Sequence, residues 1–115
     1  MNGDCLFCKI VNKEIPSNIV YEDNDTLAFK DIQPQAPVHI LVIPKAHVAR
    51  ISELDQGNQN MASRLILAAN KLARDNRIDQ NGYRLVFNCG PNAGQAVFHV
   101  HLHLLGGRKL TWPPG

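Results

Sequence analysis

Three of the chain's five histidines stand at alternate positions of one short run, Phe98-His99-Val100-His101-Leu102-His103-Leu104-Leu105, whose other members are apolar. This alternation selects a β-strand, because side chains along a strand point to opposite faces in turn at a rise of about 3.3 Å per residue. A strand from His99 to Leu105 is therefore predicted, with His99, His101 and His103 on one face and Val100, Leu102 and Leu104 turned to a core. A row of imidazoles, each a donor and an acceptor with an ordinary pKa of about 6.5, suits proton transfer, nucleophilic attack or metal binding better than packing. The outer pair would be about 13 Å apart at strand rise, whereas a zinc–nitrogen bond is about 2.0 Å. One ion cannot easily take all three, so catalysis is the preferred reading, with a metal ligand among them left open.

A chain of 115 residues with 44% hydrophobic content fits one domain, residues 1–115, that buries about two-thirds of its unfolded surface. The formal net charge is only +2 and basic residues are interspersed with acidic ones, which argues against a nucleic-acid polymer as partner. The opening Met1-Asn2-Gly3-Asp4 lacks a basic region followed by an apolar stretch, and no apolar run reaches the roughly 18 residues of a membrane span. A cytoplasmic protein without a membrane partner is expected. The odd count of three cysteines also points to reducing surroundings, with free thiols or a metal site.

Cys5 to Val11 has helical spacing, and Ile15-Pro16-Ser17 is expected to end that short helix. Asn18–Glu22 and Thr26–Lys30 read as a hairpin about the turn residues Asp23-Asn24-Asp25, with Leu27 and Phe29 on one face. After the rigid Pro34-Gln35-Ala36-Pro37, the β-branched run His39–Ile43 reads as a central strand covered on both faces. Asp55 is the expected cap of a long helix reaching about Asn76, with Met61, Leu65, Ala68, Leu72 and Ala73 on its inner face. Strands Tyr83–Asn88 and His99–Leu105 flank a glycine-containing loop. The sum is an α+β domain: a largely antiparallel five-stranded sheet, one long helix and a short N-terminal one. The loop, Asn88 to Val97, can offer backbone N–H groups to an anion, or be an ordinary connection.

The run His99-Val100-His101-Leu102-His103-Leu104-Leu105 matches the His-x-His-x-His-x-x signature, x apolar, of the histidine triad superfamily. Glu14-Ile15-Pro16-Ser17, Ala28-Phe29-Lys30-Asp31-Ile32, Pro34-Gln35-Ala36-Pro37-Val38-His39, Gly82-Tyr83-Arg84 and Gly106-Gly107-Arg108 resemble its nucleotide-binding branch, the Hint proteins. The resemblance covers essentially the whole chain. It implies a homodimer whose two sheets join into a continuous ten-stranded one, with a purine nucleotide held near each triad. The implied reaction is hydrolysis of a purine nucleoside 5′-phosphoramidate, such as adenosine monophosphoramidate or an adenylylated amine.

In that scheme His101 attacks the α-phosphorus and forms a nucleotidyl-histidine that water then cleaves. His103 contacts the phosphate or leaving group, while His39 and His99 orient the constellation. Asp31 would bind the ribose and Ile32 the base. Asn88, Gly94, Gln95, Ala96 and Val97 would hold the phosphate, Asn88 and Gln95 through side-chain amides and the others through backbone N–H groups. Two features depart from the family pattern. Ala96 stands where many Hint proteins have a serine whose hydroxyl contacts the phosphate or its leaving group, and the tail Thr111-Trp112-Pro113-Pro114-Gly115 belongs to a region that varies widely in the family.

Cys5-Leu6-Phe7-Cys8 can supply two thiolates to zinc, and two imidazoles would complete a tetrahedral shell. By resemblance to some superfamily members these are His47 and His99; the other reading is two reduced core thiols. Three further functions compete with the phosphoramidase: a catalytically weak regulatory protein that binds purine nucleotides, a dinucleoside polyphosphate hydrolase, and a zinc hydrolase that activates water. The last needs an open metal position, which four protein ligands do not leave.

Overall fold

In the computed structural model, which describes residues 4–115, the polypeptide runs α1 (Leu6–Val11), β1 (Ile19–Glu22), β2 (Thr26–Lys30), β3 (Val38–Pro44), α2 (Asn60–Asp75), β4 (Tyr83–Phe87) and β5 (Leu102–Gly106). The five strands form one antiparallel sheet in the order β1-β2-β3-β5-β4, with β3 at its centre. On one face Ala28, Ile40, Val42, Leu102 and Leu104 meet Leu65, Ala68, Ala69, Leu72 and Ala73 of α2. On the other, Leu27, Phe29, Leu41 and Ile43 are covered by Phe7 and Ile10 of α1. Burial of a large aliphatic side chain stabilises by about 1.5–3 kcal/mol, so both helices are held chiefly by these contacts. The α+β architecture and the doubly covered central strand agree with the sequence pattern.

The helix ends differ from expectation, for local reasons. α1 stops at Asn12, well before Pro16: Lys13 takes a left-handed φ of 62°, its N–H donates to the Ile10 carbonyl, and Glu14 N–H donates to the Lys9 carbonyl. This double hydrogen bond satisfies the last carbonyls of the helix without proline. The same arrangement closes α2, where Arg77 (φ 59°) and Ile78 donate to Arg74 and Ala73. Asp55 does not cap α2. Its carboxylate accepts from Gly57 N–H at 2.8 Å and fixes a turn with Asn58, so the helix begins only at Asn60. A local turn of Asp, Gly and Asn competes with helix initiation for the same carboxylate.

The histidine strand is also shorter than predicted, beginning at Leu102 rather than His99. Pairing of β3 with β5 runs from Val38↔Gly106 to Val42↔Leu102. Two residues further, Pro44 has no N–H to give the ladder. Val100 N–H donates instead to the Val48 carbonyl at 2.7 Å. The alternation of faces survives this bend: Val100, Leu102 and Leu104 enter the core under α2, and the three imidazoles lie on the α1 side.

Candidate active site

β3 and β5 set the stage, because their register places Leu41 opposite His103 and His39 opposite Leu105. His39 and His103 are therefore diagonal neighbours on one face, and His39 Nε2 lies 2.9 Å from His103 Nδ1. The ring of His101 follows at 5.0 Å between centroids from His103. Phe7 of α1 stands edge-on to His101 at 5.1 Å and to His99 at 5.9 Å. α1 is thus the roof that removes His99 and His101 from solvent.

Backbone partners decide the tautomer of each ring. His101 Nδ1–H donates to the His99 carbonyl at 2.7 Å, leaving the lone pair on Nε2, which has no partner among the described residues. His99 Nε2–H donates to the Pro44 carbonyl at 2.7 Å, so its lone pair sits on Nδ1. His39 Nδ1 accepts from the Gln35 backbone N–H at 3.0 Å. Its proton is consequently on Nε2 and is donated to His103 Nδ1. His103 then carries its own proton on Nε2, which again has no partner among the described residues.

Burial favours the neutral form of His39, His99 and His103. His103 is pushed down to about 4 by desolvation and by His101 and His39, against an opposing pull from Asp31. Desolvation likewise lowers His39 and His99 below the ordinary histidine value. The site therefore combines an imidazole with a free lone pair, His101, and one with a free N–H, His103, both positioned by hydrogen bonds already formed. That is the equipment of a nucleophile beside a proton donor.

Asp31 lies beside this pair, with Oδ2 at 3.4 Å from His39 Nε2 and Oδ1 accepting from Gln33 N–H. Ile32 next to it is 93% exposed, an apolar side chain with nothing packed on it. Continuing the β4–β5 register one residue beyond Phe87↔Leu102 brings Asn88 opposite His101. In the loop that follows, Gln95 is buried and fully committed. Its Oε1 accepts from Gly90 N–H, its Nε2 donates to the Ala49 and Val97 carbonyls, and its backbone N–H donates to Gly90. The side-chain donation to phosphate expected of Gln95 is thereby excluded in this arrangement. Gln95 instead braces the loop, and Gly94 N–H is likewise spent on the Pro91 carbonyl. The backbone N–H groups of Ala96 and Val97 have no acceptor among the described residues and remain free for an anion.

Among the described residues, two groups of side chains have metal-ligand spacing: Cys5, Cys8, His47 and His99, and Asp31, His39 and His103. In the first, His99 Nδ1 is 3.4 and 3.6 Å from the two sulfurs, and His47 Nδ1 is 3.3 Å from Cys8 Sγ. Tetrahedral ligands at about 2.3 and 2.0 Å from zinc lie about 3.5 Å from one another. His99 also presents a lone pair to the cluster, because the Pro44 carbonyl holds its proton on the remote nitrogen, as is usual for a metal-binding histidine. Burial and the neighbouring Cys5 raise the Cys8 thiol to about 11, a proton a bound cation would displace. These four residues fit zinc. The second group does not, since Gln35 N–H occupies His39 Nδ1 and obliges Nε2 to carry a proton where a ligand needs a lone pair.

Sequence reasoning missed Phe7, hidden between two more conspicuous cysteines, and the positioning by Gln35 and Pro44, which act through backbone groups and carry no side-chain signal. Cys89, which has no thiol partner, lies against Ser52, whose hydrogen bonds lower its thiol below the ordinary value.

Residues 12–110 match the family model described as HIT domain. The chain belongs to the HIT family. It is 50% identical over all 115 residues, the full length of both chains, to an uncharacterized HIT-like protein of Synechococcus elongatus. Among solved structures it resembles a HIT family hydrolase from Legionella pneumophila Philadelphia 1, with 51% identity, 96% of this chain and 99% of that one covered, and a TM-score of 0.95. It also resembles a histidine triad nucleotide-binding protein from Candida albicans, with 36% identity, 95% and 82% coverage and a TM-score of 0.81.

Proposed function

We propose that this HIT domain hydrolyses purine nucleoside 5′-phosphoramidates to the nucleotide and an amine, as a Hint-branch enzyme of the cytoplasm. The observation that carries the reading is the fixed tautomer of His101, whose Nδ1–H is bound to the His99 carbonyl so that Nε2 is a ready nucleophile. His101 Nε2 attacks the α-phosphorus and the P–N bond breaks. Its electron pair goes to nitrogen, which accepts a hydrogen bond from the Nε2–H of His103 and takes a proton from solvent as it leaves. Water then attacks the nucleotidyl-His101, loses a proton to solvent and releases the nucleotide, returning the electron pair to His101 Nε2. Ala96 and Val97 N–H groups and the Asn88 amide hold the phosphate, Asp31 the ribose and Ile32 the base. Gln95 and Gly94 contribute by shaping the loop.

In this reading a zinc ion held by Cys5, Cys8, His47 and His99 is structural: with four protein ligands it ties α1 to the active strand. His99 would be one of the residues holding that ion, and its carbonyl accepts from His101 Nδ1, so it would link the two sites. A second copy of the chain would extend the sheet to ten strands. Supporting this, β4 is an edge strand of half-buried residues, and α2 exposes Ile66 and Leu67. A nucleotide-binding role with little catalysis is favoured by one observation alone, Ala96, which leaves the phosphate loop a hydroxyl short.

The test is steady-state hydrolysis of adenosine 5′-phosphoramidate by metal-replete protein and by His101→Ala. Turnover abolished in the variant, with nucleotide affinity changed no more than a few-fold, is expected. Nucleotide binding without turnover in wild type would favour the binding protein.

A further inference from the structure

The hydrogen bond between His39 and His103 can be made in two directions, and only one of them is useful. If His39 donates, His103 keeps a proton on its outward Nε2. If His103 donates, that nitrogen is a bare acceptor. The Gln35 N–H on His39 Nδ1 selects the first direction, and the Asp31 carboxylate near His39 Nε2 favours the same one. Gln35 belongs to an exposed loop between Pro34 and Pro37, with no strand partner to hold it. What holds it is the turn after β5. Gly107, at φ +89°, brings the chain so close to the loop that a Cβ there would stand 2.9 Å from Pro37 Cβ. Arg108 then donates to the Gln35 carbonyl from both Nε (3.2 Å) and Nη2 (2.9 Å).

We propose that Arg108 is a positioning residue: by clamping the Gln35 carbonyl it keeps the Gln35 N–H on His39 Nδ1, and through His39 it fixes the Nε2–H tautomer of His103. The clamp acts on backbone groups of Gln35, whose own side chain turns to the Gln33 carbonyl, so it is the guanidinium fork that the coupling requires. A lysine ammonium would aim one of its N–H groups at that carbonyl, whereas arginine aims two in fixed geometry. The effect on catalysis rests on the phosphoramidase reading; the effect on the tautomer does not.

Two readouts test it on the full chain. Long-range 1H–15N correlation of the histidine rings at pH 7.5 should show His103 as the Nε2–H tautomer in wild type, a mixture of tautomers in Arg108→Ala, and an intermediate state in Arg108→Lys. With an alkylamine phosphoramidate of adenosine, kcat of Arg108→Ala should fall about tenfold, the scale of one charge-assisted hydrogen bond, with KM unchanged. With a nucleotide ester whose aryl oxide leaving group needs no proton, the loss should stay under about twofold. An unchanged His103 tautomer in Arg108→Ala overturns the proposal. So does an equal loss on both substrates, which is the mark of general loosening. A tautomer shift in a protein that turns over neither substrate upholds the positioning role and overturns the phosphoramidase reading.

Discussion

At the scale of single residues, function here is a matter of which nitrogen carries which proton. His101 and His103 are identical side chains two positions apart, yet the first presents a lone pair and the second an N–H, because one bonds a carbonyl and the other accepts from His39. The sequence showed the histidines and their common face without ambiguity. It did not show their tautomers, which depend on Pro44, His99 and Gln35 backbone groups brought near by folding. Gln95 is the instructive error: an amide in a glycine loop reads as a phosphate donor, whereas burial turned it into a brace. Ala96 is the residue where a gain is expected. Ala96→Ser adds a hydroxyl beside the free loop N–H groups, and a hydrogen bond to a charged partner is worth about 1.5–3 kcal/mol. The variant should raise kcat for the phosphoramidate about tenfold, measured by nucleotide release; an unchanged or lower kcat would remove Ala96 from the phosphate's surroundings.

Elements divide the labour unequally. β3 and β5 impose the register that pairs His39 with His103, and α2 covers their opposite face. α1 is too short to be stable alone, and its sequence signal was dominated by Cys5 and Cys8. In the fold it carries Phe7 onto His101 and both sulfurs onto His99. Loading of those ligands should therefore be visible as stability. Zinc at about a hundred times its Kd adds about 2.7 kcal/mol, or about 10 °C in Tm for a chain of this length. Chelation should lower Tm by that amount in wild type and should have no effect on a Cys5→Ser, Cys8→Ser double variant. Equal melting of wild type with and without zinc would show that the four residues hold no ion. The helix boundaries were the least legible feature, since left-handed Lys13 and the Asp55 turn are local choices among near-equal conformations.

For the molecule as a whole, three neutral histidines are packed against one face of the sheet, and this has a pH consequence. In the unfolded chain they titrate near the ordinary value of about 6.5. In the folded protein His39 and His99 are lowered and His103 lies at about 4. Between these values the unfolded state binds more protons than the native state, so stability rises with pH there. It is fully present above about pH 6.5 and is lost as pH falls toward about 4. Thermal melts of chelator-treated protein from pH 7.5 to 4.5 should show Tm falling through this window, less steeply in His103→Gln; equal slopes would mean that His103 is not held neutral.

The alternating histidines, the turn residues of the hairpin and the β-branched run of the central strand made the architecture readable because each is a local pattern of residues. The mechanism rests on a covalent step that a pattern cannot display. Hydrolysis of a P-chiral adenosine 5′-phosphoramidothioate in 18O-labelled water tests that step directly. Two successive in-line displacements, by His101 and then by water, predict retention of configuration at phosphorus. Inversion would mean that water attacks the substrate directly, and would contradict the nucleophilic role of His101.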